Sequence, residues 1–169
     1  MSLRNHDRRT ISHVVTGLTK GTTSTYTTTA TSECSIDGKW ATGLTAQTNT
    51  ATPTTDAVTS AAFVAQTDNT ACIYVFGITA AGAIAVAQGP ITATETGSGT
   101  TAGALKDPGR PQFPTLPDNF CPIGYLFVRT APDASDFTFG TSSWTATGIT
   151  ASAVVELDGQ LPSRPQALP

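Results

Sequence analysis

The chain has 169 residues, a formal net charge of −3 at pH 7 and charged side chains at only 12% of its positions. This length is typical of one domain with a single core. An acidic chain lacks the basic field that neutralises phosphates, so we expect no nucleic-acid partner. No apolar run approaches the roughly 20 residues of a membrane helix, and the start MSLRNHDRRT has no hydrophobic signal core. We therefore expect no membrane partner and no secretion by that route.

Threonine supplies most of the missing polarity and makes up about a fifth of the chain. Its β-branched side chain is stiff and suits a pleated sheet. Gly (15) and Pro (11) recur along the chain while Lys and Glu are scarce, which disfavours long helices. We predict an all-β fold: an antiparallel β-sandwich or barrel-like domain with an extended N-terminal arm and a Pro-rich C-terminal tail.

Residues 1–10 are polar and charged, and we expect them to form the extended N-terminal arm. The arm holds the one basic cluster of the chain, Arg4, Arg8 and Arg9. Two interpretations remain open. The arm is either a solvated terminus or a peg that docks on an acidic partner surface.

Residues 11–91 are predicted to be the first part of the β domain. Ile11, His13 and Val15 alternate with polar neighbours, and residues 22–36 are almost wholly Thr, Ser and Tyr. Asp37-Gly38 then gives a strong hairpin signal. Residues 39–47 are predicted to return as the next strand.

The second half of this part contains the most hydrophobic stretch of the chain. Residues 48–56 are predicted to be a loop by their Pro and Asn content, and 57–66 a strand. Residues 71–79 and 83–88 are predicted to form a central hairpin around the turn Ala80-Ala81-Gly82. Its nearly continuous apolarity indicates burial on both faces.

Residues 92–120 form an extended Gly/Pro-rich segment. A loop this long is unusual inside a compact domain unless it has a function. Its part PGRPQFPTLPDNF is predicted to run as polyproline-like chain over a surface. It is either a tolerated surface loop or an arm that wraps a subunit, and in the second case Arg110, Phe113 and Leu116 contact the partner.

The chain is predicted to return to the sheet in residues 121–158, with strands at 123–130, 137–139 and 149–157. Residues 159–169 are predicted to be the Pro-rich tail, because proline lacks the amide donor that a helix or a central strand needs.

The three cysteines, Cys34, Cys72 and Cys121, are far apart in sequence and odd in number. A full disulfide framework within the chain is therefore excluded, and no Cys/His spacing suggests zinc. They are either buried free thiols, or one pair forms a bridge within or between chains.

We find no motif of a known catalytic class, and we expect a protein that is not an enzyme and has no catalytic residues, metal or cofactor. The only histidines, His6 and His13, lie near no nucleophile motif. The carboxylates that fall in pairs are interpreted as turn residues rather than as acid/base pairs; they are Asp133 with Asp136 and Asp56 with Asp68.

The large aromatic residues have two possible roles. Trp40, Tyr74, Phe76 and Trp144 stand at spacings that suit a core, and they are also side chains that stack on sugar rings.

The C-terminal third resembles small structural proteins of tailed bacteriophage virions. The resemblance is carried by LPDNFCPIGYLFVR from Leu116 to Arg129, FTFG from Phe137, WTATGIT from Trp144 and LPSRP from Leu161, and residues 71–90 fit it as well. Together these stretches cover about half of the chain.

The resemblance implies a β-sandwich or barrel-like protein on the virion, commonly a homotrimer, made in the host cytoplasm and placed on the capsid exterior. Our leading hypothesis is a capsid decoration or cement protein that bridges neighbouring subunits of the major capsid protein and stabilises the assembled shell. The alternative is a receptor-facing fibre or carbohydrate-binding module of the virion, with an exposed Trp144 or Trp40 as its stacking platform.

Overall fold

The computed structural model describes residues 10–41, 43–106, 110–163 and 165, and within these ranges it contains strands and turns but no helix. The all-β prediction is confirmed. The described strands form three antiparallel sheets. They are β1 (Ile11–Ser12), β2 (Thr19–Lys20), β3 (Thr25–Thr28), β4 (Cys34–Ile36), β5 (Lys39–Ala41), β6 (Gln47–Ala51), β7 (Thr70–Thr79), β8 (Ile84–Gln88), β9 (Thr92–Ala93), β10 (Phe120–Thr130), β11 (Ile149–Ala151) and β12 (Val155–Glu156).

The central sheet has the order β11-β10-β7-β8, with β12 also on β10 and β9 also on β7. Nearly every residue of β7 and β10 is buried, and β7 with β8 forms the predicted central hairpin. Because side chains alternate along a strand, Tyr74 and Phe76 enter one core cluster while Ile73 and Val75 enter another on the opposite face. The predicted burial on both faces is therefore confirmed.

A β-bulge in β10 changes which of its side chains face each of the two clusters. The register against β7 shifts between Pro122 and Gly124. As a result Ile123 and Leu126, at odd and even positions, both face the first cluster. Pro122 has no amide to donate, and a bulge is one of the few places where a strand tolerates it.

The first cluster is covered by the two smaller sheets, β1-β4-β5 and β2-β3-β6. They contribute the buried side chains of Leu18, Tyr26, Cys34 and Ile36. The three sheets together make a β-sandwich-like domain, and the strands do not close into a barrel.

The second cluster is covered by segments without long strands. Leu105, Phe113 and Leu116 of the Gly/Pro-rich segment pack on it, and so does Leu161 of the predicted tail. The Phe113 ring meets the Tyr125 ring edge to face, with centroids 4.9 Å apart. These apolar residues of the segment therefore lie against the chain's own central sheet.

Several predicted element boundaries are wrong. Residues 57–66 form a turn and two isolated bridges instead of a strand, and β6 occupies the start of the loop predicted at 48–56. The stretch 22–36 is divided between β3 and β4, and Phe137 makes only an isolated bridge to Gln66. In each case packing or a side-chain hydrogen bond decides the local structure, and neither is visible in the local residue pattern.

Candidate functional site

A groove of about 1200 Å³ lies at one end of the molecule, where five separate segments meet. It is lined by Thr10, by the β4–β5 hairpin, by the β7–β8 turn at Ala80-Ala81, by residues 116–120 and by Gln160-Leu161. The Gly/Pro-rich segment, the tail and the last residue of the predicted N-terminal arm thus converge here.

The hairpin that forms one wall has the tight turn predicted from Asp37-Gly38. Both residues have positive φ, 52° for Asp37 and 71° for Gly38, as a two-residue type I′ turn requires. The amide of Asp37 donates a hydrogen bond to Thr10 Oγ1 at 3.1 Å. The turn therefore places Lys39 and Trp40 at the rim in a defined geometry.

Trp40 is the most conspicuous side chain of the groove, because 64% of its surface is exposed. Its ring stacks on the imidazole of His13, with centroids 5.1 Å apart and an interplanar angle of 17°. Strand β4 runs between the two residues, and its Ser35 pairs with Trp40 and lies 3.3 Å (Oγ) from His13 Nε2. The small Ser35 side chain lets the two rings meet across it.

The groove combines apolar and polar groups. Leu116, Pro117 and Leu161 contribute apolar surface, and its amide side chains are those of Asn119 and Gln160. The charged side chains among its described lining residues are Asp37, Lys39 and Asp118, so this described part carries one more negative than positive charge. Such a mixture can bind a ligand that has both an apolar face and hydrogen-bonding groups.

The predicted partner-binding residues do not come together in one place. Leu116 lines the groove, whereas Phe113 is half-buried against Tyr125 and Arg110 is exposed. The remaining three, Arg4, Arg8 and Arg9, lie outside the described residues. The signal for the groove itself was weak in the sequence, because His13, Asn119 and Gln160 come from distant segments.

Of the four aromatic residues with two possible roles, three are core residues. Tyr74, Phe76 and Trp144 are buried in the first cluster, and Trp144 is only 3% exposed. Trp144 as an exposed stacking platform is therefore wrong. Trp40 is the only one of the four whose ring is available to a ligand.

The three cysteines are free and buried, as the first of the two interpretations predicted. Burial raises the pKa of the Cys72 thiol to about 12. Burial, and secondly the neighbouring Cys34, raise the pKa of Cys121 to about 12. These thiols are therefore protonated at neutral pH and are poor nucleophiles.

Among the described residues no group of three or more His, Cys, Asp or Glu side chains is arranged to hold a metal ion. A search of the same residues finds no helix of the length and apolarity needed to cross a membrane.

Fold and groove together define a β-sandwich-like domain with a ligand-sized groove and an exposed tryptophan at its rim. No family model, no curated protein and no solved structure matches the chain.

Proposed function

We propose that this protein is a bacteriophage capsid decoration protein that attaches to the assembled shell through its basic N-terminal arm. The observation that carries the proposal is the direction of β1. Ile11 pairs with Ser35 and Ser12 with Cys34 in an antiparallel ladder, and the Asp37 amide donates to Thr10 Oγ1, so Thr10 lies at the Asp37-Gly38 end of the hairpin. An arm that starts there is well placed to reach a neighbouring surface.

The body of the protein supports this division of roles. Both faces of the central sheet are covered by the chain's own segments, so the body does not need the arm to complete its core. In the proposed arrangement Arg4, Arg8 and Arg9 bind acidic groups of the major capsid protein. The copies form a homotrimer on the capsid exterior, and binding only the assembled shell stabilises that shell by mass action.

Replacing Arg4, Arg8 and Arg9 together by alanine tests this attachment. Each lost charge pair at an exposed interface is worth about 0.2–1 kcal/mol, so for the three together we expect the affinity for purified particles to fall by about threefold to about 150-fold. Occupancy is measured by sedimentation of particles with added protein, at low and at physiological salt. Lys106→Ala, at an exposed residue outside the arm, is the matched control.

Deletion of residues 1–9 provides the second variant. We expect it to abolish binding while the β body keeps its far-UV spectrum. Unchanged occupancy of either variant, with Lys106→Ala as the reference, would remove the arm from the mechanism.

A further inference from the structure

We infer that the groove beside Trp40 is a binding site for an uncharged oligosaccharide. The inference goes beyond shell attachment and is independent of it, because it rests on the groove and not on the arm. The central observation is a large aromatic side chain that the fold holds in place and leaves 64% exposed. Among the large hydrophobic side chains of the described residues, the other exposed ones are valines: Val15 at 49%, Val58 at 44% and Val64 at 65%.

The orientation of the Trp40 ring is fixed from one side only. The His13 imidazole stacks against one face at 5.1 Å, nearly parallel to it. The exposed surface of the ring therefore belongs to its other face and its edges. An aromatic face carries partial negative charge, and the C–H groups on one side of a pyranose ring, which are weakly positive, stack on such a face.

The side chains around Trp40 supply hydrogen-bonding partners for the hydroxyl groups of a sugar. Sugar hydroxyl groups both donate and accept hydrogen bonds. Carboxylates accept such bonds, and side-chain amides both accept and donate them. Asp37 lies on the same hairpin as Trp40, and Asp118, Asn119 and Gln160 line the other walls of the groove. Aromatic platform and planar polar groups thus share one groove.

The size of the groove indicates more than one sugar ring. Pockets that bury a drug-sized molecule have about 300–1000 Å³, and this groove has about 1200 Å³. Its position at the molecular surface suits a chain that continues out of the groove.

The charges of the groove favour some of the ligands that can stack on Trp40 over others. Nucleic-acid bases also stack on aromatic side chains, but they bring phosphates. Among the described residues of the lining, Asp37 and Asp118 face such anions and Lys39 is the single cationic side chain. Anionic ligands, including sialylated or phosphorylated glycans, are therefore disfavoured relative to uncharged ones.

Calorimetric titration of the full chain with cellohexaose, maltohexaose and chitohexaose tests the inference, with sialyllactose as the anionic probe. We expect at least one of the uncharged hexasaccharides to bind and sialyllactose to bind more weakly. Trp40→Ala is expected to weaken that binding at least tenfold, and Trp40→Phe, which keeps an aromatic face, to retain most of it. Val64→Ala, at another exposed apolar residue, serves as the control and should bind like the parent.

Acrylamide quenching of tryptophan fluorescence gives a second readout. Trp40 is exposed and Trp144 is buried, so quenching reports mainly on Trp40. A saturating uncharged hexasaccharide should reduce the quenching in the parent protein.

The inference is overturned if none of the uncharged hexasaccharides binds at millimolar concentration, if Trp40→Ala binds as well as the parent, or if sialyllactose binds best. Binding of a proline-rich peptide in place of the sugars would also overturn it. The tests of sugar binding and of shell attachment can fail independently. The variant without residues 1–9 should still bind sugar, and Trp40→Ala should still occupy particles.

Discussion

The two tryptophans of the chain show how differently one residue type is used in this fold. Trp144 is 3% exposed and donates a hydrogen bond from Nε1 to the Thr25 carbonyl at 3.1 Å. Its ring lies 5.7 Å from that of Phe137 and 5.3 Å from that of Phe139. Trp40, in contrast, stacks on the His13 imidazole and is 64% exposed. Trp144 therefore stabilises the core, whereas Trp40 is free to serve a ligand.

Alanine substitution should separate these roles. Trp144→Ala removes a buried aromatic side chain and leaves a cavity, so we expect it to lower the free energy of unfolding by about 3–5 kcal/mol. Trp40→Ala should lower it by less than about 1 kcal/mol, because it removes one exposed stacking contact. Equilibrium urea unfolding followed by circular dichroism measures both. Similar losses for the two variants would contradict the assignment.

At the scale of elements, the loop before β7 protects one edge of the central sheet. Strand β8 is the last strand on its side, and open strand edges promote association between chains. Gln88 covers this edge with its side chain, which accepts a hydrogen bond from the Val64 amide at 2.9 Å and donates one to the Val64 carbonyl at 2.8 Å. Asp56 accepts a further bond from the Gln88 amide at 2.9 Å.

Asp56 also organises the loop itself. Its Oδ2 accepts hydrogen bonds from the amide and the hydroxyl of Thr59, while its Oδ1 binds β8. This Asx turn explains why residues 57–66 form no strand despite their pattern. The carboxylate is buried. Of its partners Gln88 is partly buried, so its amide has limited access to water if the carboxylate is removed, whereas Thr59 is exposed.

Asp56→Ala is therefore expected to lower the free energy of unfolding by about 1–3 kcal/mol, since it leaves the Gln88 and Thr59 amides without an acceptor. Hydrogen exchange followed by mass spectrometry should show faster exchange at both amides. Asp68→Ala, at an exposed turn residue, should change stability by less than about 0.5 kcal/mol. If exchange in Asp56→Ala stays as slow as in the Asp68→Ala control, the edge is held by other contacts.

At the scale of the whole molecule, the buried thiols make stability depend on pH. Burial raises the pKa of Cys72 from 9.0 to about 12 and also raises the pKa values of Cys34 and Cys121. Above pH 9 the unfolded chain loses these protons while the folded chain keeps them. The unfolded state is then favoured, and the stability present at lower pH is lost progressively as the pH rises toward 12.

We expect the free energy of unfolding to fall between pH 8.5 and pH 10, with Cys72 alone contributing about 1 kcal/mol per pH unit above pH 9. Urea unfolding of the parent and of Cys72→Ala across this range measures the slope. Other titrating groups are present in both proteins, so the difference between the two slopes isolates Cys72. Equal pH dependence of the free energy of unfolding in the two proteins would show that the Cys72 thiol titrates normally in the folded state.

The features that could be predicted from the sequence are those with local causes. The Asp37-Gly38 turn needs only two residues with positive φ, and the apolar run of β7 needs only its own composition to indicate burial on both faces. Asp56 was also interpreted as a turn residue, and it is one. The attachment of its turn to β8 was not predictable in this way, because β8 lies more than twenty residues further along the chain.

The groove was the least predictable feature. Trp40 was recognised as a residue with two possible roles, but its exposure depends on His13 and Ser35, which reach it only through the register of β1, β4 and β5. The opposite wall comes from residues 116–120 and from Gln160-Leu161. The spacing of these segments in the sequence does not predict that they meet.

The pairing of β7 with β10 has a consequence for how the chain folds during synthesis. The two strands at the centre of the sheet are separated by the whole of residues 80–119. A ribosome therefore releases the apolar β7 with only β8 and the short β9 as its partners, and the edge that pairs with β10 stays open until β10 has emerged. Long-range strand pairing is slow, and an exposed apolar edge attracts other chains during the delay. The exposed edge of β7 can therefore be paired only after the chain has left the ribosome as far as residue 130, where β10 ends.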